Sequence, residues 1–134
     1  MFVELDLQSE EPIYMQLADQ LIEGIASGQL RPGEPLPSVR SLAADLGINL
    51  HTVNKAYNVL KQEGFLEVHR KKGVIIQPGA MPAITESFLA KLDHQVQVLA
   101  AEASVRGMSE SAFVERCLRA YRHVRNNMSG GTTE

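Results

Sequence analysis

Residues 36–76 read LPSVRSLAADLGINLHTVNKAYNVLKQEGFLEVHRKKGVII, and this stretch decides the fold. Pro37-Ser38 is a helix start, because the Ser38 hydroxyl can accept a bond from an orphan N–H one turn on. Val39, Leu42, Ala43 and Leu46 follow at helical spacing and give one apolar face. Gly47 stops the helix, Ile48 can plug the turn, and Asn49 can cap a second helix. In that helix Val53, Ala56, Tyr57 and Leu60 form the inward stripe, with Tyr57 read as core. The outward set is Leu50, His51, Thr52, Asn54, Lys55, Asn58 and Lys61, and Gly64 ends the helix. After it, Leu66, Val68, Val74 and Ile76 alternate as strands do, around a tip of His69-Arg70-Lys71-Lys72-Gly73. Two short helices, a tight turn and a hairpin with a cationic tip make a winged helix-turn-helix. The second helix of such a pair fits the DNA major groove.

The flanks complete the layout. A first helix is expected to start near Glu11-Pro12, with Ile13, Leu17, Leu21 and Ile25, beside Ala18 and Ile22, as its buried stripe. Gly28 closes it, and Arg31-Pro32-Gly33 reads as a turn. Phe2, Val3, Leu5 and Leu7 alternate with polar residues, which suggests a short strand or an arm. Residues 78–82 break regular structure and read as a linker. Two more helical patterns follow. The first, from about Ala83 to Ser104, carries Ile84, Phe88, Leu92, Val96, Leu99 and Ala103. The second, capped by Ser109, carries Phe113, Cys117, Tyr121 and Val124. The expected fold is mostly α with a small β-wing. Its parts are a winged helix-turn-helix over 1–77, a linker over 78–82, a two-helix dimerisation domain over 83–127 and a flexible tail over 128–134.

Two helices cannot enclose a core by themselves. The economical partner for their apolar faces is the same pair from a second copy, giving a small four-helix packing about a two-fold axis. Ile84, Phe88, Leu92, Val96, Leu99, Phe113, Cys117 and Tyr121 are the expected dimer interface, and Cys117 is expected to pack there. A homodimer also suits DNA, since two recognition helices would reach half-sites of a palindromic operator one helical turn apart.

Charge supports this reading when taken locally. The chain carries a net charge of −3, an unpromising figure for a nucleic-acid partner. Residues 1–30, however, hold six acids and no Lys or Arg, whereas residues 31–72 hold seven Lys/Arg against four acids. Positive charge gathers where the fold reading puts the DNA face. The single cysteine excludes an internal disulfide and fits a reducing cytoplasm. No apolar run is long enough to span a bilayer.

The segment from Pro12 to Ile76 resembles the DNA-binding domain of the GntR family of bacterial transcriptional regulators. The resemblance rests on PIYMQLADQLIEGIASGQLRPGEPLPSVRSLAADLGI, on HTVNKAYNVLKQEGFLE and on the RKKG wing. NLHTVNKAY is similar to the YtrA-like branch, whose C-terminal domain is short. The resemblance implies that Arg40 contacts backbone or bases. Ser38, Asn49, His51, Thr52, Asn54 and Lys55 join it as DNA-binding candidates, with Arg70, Lys71, Lys72 and Gly73 at the wing. Asn can pair with adenine, and Lys with guanine or phosphate. Other branches carry arginines at the positions of Leu50 and Asn54, so the operator should differ from theirs. The short branch is often encoded beside membrane transporters, which points to a transport operon.

Catalysis is not expected. His51, His69, His94 and His123 are scattered without metal-ligand spacing, and there is no phosphate-cradling glycine loop and no nucleophile elbow. Neither a metal nor a cofactor is expected. About fifty C-terminal residues are too few for an effector cavity within one subunit. An unidentified small-molecule effector would need a cleft at the dimer interface, lined by Phe88, Leu92, Phe113 and Tyr121. The plainer reading makes those four residues dimer core. The working expectation is a cytoplasmic homodimeric repressor, and the alternative is a protein-interaction adaptor that uses the winged fold without reading DNA.

Overall fold

The computed structural model describes residues 3–130. It contains α1 (Ile13–Ser27), α2 (Val39–Leu46), α3 (Leu50–Glu63), β1 (Leu66–His69), β2 (Gly73–Ile76), α4 (Glu86–Val105) and α5 (Glu110–Gly130). The chain falls into two units, one built on Met1–Pro82 and the other on Ala83–Asn126.

In the first unit α3 is the centre, packing against α1, α2 and β1. Its inward stripe, Val53, Ala56, Tyr57 and Leu60, is fully buried, against Leu17 and Leu21 of α1, Leu42 of α2, and Leu66 and Ile76 of the hairpin. Each large apolar side chain so buried contributes about 1.5–3 kcal/mol. The helix ends are set by side chains. Ser38 Oγ accepts from Ser41 N at 3.0 Å, and Asn49 Oδ1 accepts from His51 N at 2.7 Å. Gly47 adopts φ 69°, a left-handed turn that a side chain would strain, and so frees α3 to leave at a new angle.

The hairpin is antiparallel, pairing Leu66 with Ile76 and Val68 with Val74. Its burial differs from simple alternation. Val68 is 63% exposed, while Ile75, on the opposite face, is buried. The cause is a third segment lying along β2. Leu36 N donates to Val74 O at 2.8 Å, Ile76 N to Glu34 O at 2.9 Å and Gly33 N to Ile76 O at 2.8 Å, with a bridge between Pro35 and Ile75. Proline lacks an N–H, so this segment can serve only as an edge.

The N-terminal segment forms no strand over residues 3–12, and Phe2 lies outside the described residues. It is an arm held by two glutamines one turn apart on α1. Gln16 Oε1 accepts from Asp6 N, and Gln16 Nε2 donates to Asp6 O and Glu11 O, at 2.8, 3.0 and 2.9 Å. Gln20 exchanges the same pair of bonds with the backbone of Glu4. The two side-chain amides thus do for the arm what a neighbouring strand would.

In the second unit α4 starts at Glu86, later than Ala83, because Thr85 Oγ1 accepts from Phe88 N at 3.0 Å and fixes the cap. Ile84, assigned to the helical stripe by spacing, therefore precedes the helix. Ser109 caps α5 through Ala112 N at 3.1 Å. α5 continues to Gly130, past Asn126, and the rest of the expected tail lies outside the described residues. Among the described residues α4 and α5 share no extended packing interface. Phe88, Leu92, Val96 and Leu99 on α4, and Cys117 and Tyr121 on α5, are consequently exposed, with Phe113 half-buried. Cys117, expected to be packed, is open in the single chain for this reason. No helix among the described residues is long and apolar enough to cross a membrane.

Candidate nucleic-acid interface

The outward face of α3 carries His51, Asn54, Lys55 and Asn58, all exposed, with Thr52 half-buried beside them. Among the described residues the side chains of His51, Asn54 and Asn58 make no hydrogen bond within the protein, so their donors and acceptors are available to a partner. Leu50 corrects the sequence expectation. It is half-buried and packs against the core, so it is not part of the outward set. At the first turn of α3 it packs against the core cluster and lines the turn beside Ile48.

Ser38 and Asn49 are exposed, but their side-chain oxygens are occupied as caps. The Asn49 amide nitrogen and the Ser38 hydroxyl proton remain as donors. Arg40 is exposed on α2 and borders an open groove of about 370 Å³ with Ala43, Ala44, Gly47, Ile48 and Leu50. That groove sits at the turn between the two helices.

Tyr57 links these parts. Its hydroxyl donates to Pro37 O at 2.8 Å, tying the middle of α3 to the residue before the α2 cap. Burial pushes its phenol up to about 12, so it stays a neutral donor at physiological pH.

At the wing tip Arg70, Lys71, Lys72 and Gly73 are exposed. The connection is Arg70–Lys72, and the residue that follows it, Gly73, holds φ 78°, a left-handed conformation that glycine adopts without strain. His69 shapes it from inside, its Nδ1 accepting from Lys71 N and Lys72 N, each at 3.1 Å. In the sequence His69 reads only as part of the tip, since one histidine beside cations gives no sign of which atoms it bonds.

Another unflagged residue is Tyr14 of α1. The Lys55 ammonium lies 4.0 Å from its ring centroid. An aromatic side chain off the apolar stripe has no motif to announce it. The two ion pairs among the described residues, Arg106–Glu102 and Arg119–Glu115, both lie in the second unit. The cations of the first unit are thus not neutralised by carboxylates. A capped helix with an unpaired polar face, flanked by an arginine and a cationic tip, is a winged helix-turn-helix of the DNA-binding kind.

Comparison with known proteins agrees. Residues 13–76 match the family described as bacterial regulatory proteins, gntR family. The HTH-type transcriptional repressor YtrA of Bacillus subtilis (strain 168) is 35% identical over 106 residues, 79% of this chain and 82% of that protein. YtrA from Sulfolobus acidocaldarius, described as a GntR-family transcription factor, is 41% identical. The match covers 91% of this chain and 98% of that one, with a TM-score of 0.54. A transcriptional antiterminator from Listeria monocytogenes EGD-e shares the fold, at TM-score 0.85 and 22% identity over 93% of each chain. The chain belongs to the GntR family of transcriptional regulators and is similar to its YtrA-like members. It is accordingly a regulator with a DNA-binding winged helix, not an enzyme.

Proposed function

We propose that the protein is a cytoplasmic homodimeric repressor that binds a two-fold symmetric operator through α3 and the wing. The observation that carries this reading is the exposed α3 face, His51, Asn54, Lys55 and Asn58, in a unit whose Arg40 and Arg70–Lys72 tip are exposed as well. Base-edge contacts would come from His51, Asn54 and Thr52, and phosphate contacts from Ser38, Arg40, Asn49 and the wing. Repression is supported by the relative described as the repressor YtrA. The branch's association with transporters makes a transport operon the natural target.

The dimer reading rests on the second unit. A row of Phe88, Leu92, Val96 and Leu99 facing solvent, on a helix not covered by its own neighbour, calls for a partner of matching shape. A second copy supplies one, with Ile84, Phe113, Cys117 and Tyr121 joining the same surface. Release would follow from a signal that changes the angle between the two winged units and so the half-site spacing.

The test separates base reading from charge. Asn54→Ala should lose affinity mainly against base substitutions at one operator position per half-site, by about 1–3 kcal/mol. Arg70→Ala should weaken binding to every duplex alike. Equal loss on all sequences for both variants would support the adaptor reading over specific repression.

A further inference from the structure

We propose that Tyr14 is a positioning residue for Lys55, and that together they form a phosphate clamp at the edge of the recognition helix. The inference rests on the DNA-binding reading above and assigns Lys55 to the DNA backbone rather than to a base. Lys55 is exposed on α3, whereas Tyr14 is half-buried and packed against the core, so the ring is fixed by its surroundings. The ammonium lies 4.0 Å from the ring centroid, well inside cation–π range.

Three consequences follow from that geometry. A lysine head otherwise wanders on a four-carbon stem and loses entropy when it binds. The ring removes part of that freedom in advance. The attraction is electrostatic and takes up only the side of the ammonium that faces the ring, so the protons turned away from Tyr14 stay available to phosphate oxygens. Finally, the head is drawn toward Tyr14 of α1 and off the line that runs straight out from α3. A base edge deep in the groove is read by groups pointing along that line, while a cation held to the side meets the sugar–phosphate wall. No carboxylate among the described residues competes for Lys55, which leaves the charge for a ligand.

The experiment has two arms on the full-length protein. In the free protein, NMR should show the Lys55 side-chain methylene protons shifted upfield by the ring current of Tyr14. Tyr14→Phe should keep that shift and Tyr14→Leu should abolish it. The second arm is binding to a selected operator duplex at several salt concentrations. Lys55→Ala should lower affinity equally for operators substituted at each base pair, and reduce the salt slope by about two for a dimer. Tyr14→Leu should weaken binding about two- to five-fold per protomer, and Tyr14→Phe should restore it. In the Lys55→Ala background, Tyr14→Leu should add nothing.

A loss on Lys55→Ala confined to one base pair would overturn the assignment, because it would make Lys55 a base reader. So would Tyr14→Leu lowering thermal stability while leaving affinity intact, since that makes the ring merely structural. If the unaltered protein discriminates no operator at all, the repressor reading fails instead. The free-protein arm still reports whether Tyr14 holds Lys55.

Discussion

Replacing Tyr57 by Phe removes one oxygen from a fully buried side chain and leaves the ring in place. No large cavity opens, so the transfer and void terms of a truncation to alanine do not arise. What is lost is the 2.8 Å bond to Pro37 O, and with it the partner of that carbonyl. Such a deletion costs about 1–2 kcal/mol. For a winged unit of this size each kcal/mol lowers the melting temperature by roughly 4–8 °C. Urea unfolding at pH 7, followed by far-UV circular dichroism, should show a lower midpoint with an unchanged slope. A second signature depends on pH. The phenol is raised from 10.0 to about 12 in the folded protein, so folding favours its neutral form. That contribution is fully present below pH 10 and is lost as pH rises through about 12. The stability gap between the unaltered protein and Tyr57→Phe should therefore narrow across this window. Equal midpoints at pH 7, or a gap constant from pH 9 to 12, would refute the reasoning.

Other outcomes follow from the same structure. Gln16→Ala should cost about 1–3 kcal/mol, because three hydrogen bonds to the arm vanish, and the Asp6 amide should exchange its hydrogen much faster. Leu92→Asp should shift sedimentation toward a monomer and weaken operator binding, while the melting of the winged unit stays unchanged, because the leucine lies in the second unit. Replacing Lys71 and Lys72 by Ala together should reduce the salt slope of binding by about four for a dimer, with sequence preference retained. Gly24→Ala should destabilise despite its gain in helix propensity. A Cβ there would lie 2.9 Å from Leu30 Cδ1, and overpacking costs about 1–3 kcal/mol against a gain of at most about 1.

Local chemistry was the most legible part of the sequence. Ser38 and Asn49 are caps because a short polar side chain on an extended residue at a helix start has an orphan N–H within reach. The stripe of Val53, Ala56, Tyr57 and Leu60 is periodic, and it is buried. What escaped were contacts between residues far apart in the chain. Arg31-Pro32-Gly33 reads as a turn and is one, with Glu34 N donating to Arg31 O, but nothing in the sequence shows that the residues after it pair with β2, where Ile75 is buried and Val68 is not. Gln16 and Gln20 give no pattern for holding an arm, and Tyr14 gives none for meeting Lys55. Leu50 shows the limit of helical-wheel reasoning at a first turn: the wheel puts it outside, yet it packs half-buried against the core. For α4 the apolar row could be read directly, but its cover could not, because a surface does not specify its partner.

The most direct test of the account is selection from random duplexes by the purified protein, with binding of the winner followed against salt. The account predicts a two-fold symmetric winner with half-sites about one helical turn apart, bound at least about a thousand-fold tighter than random sequence. Weak, sequence-blind binding, or a winner without symmetry, would contradict it.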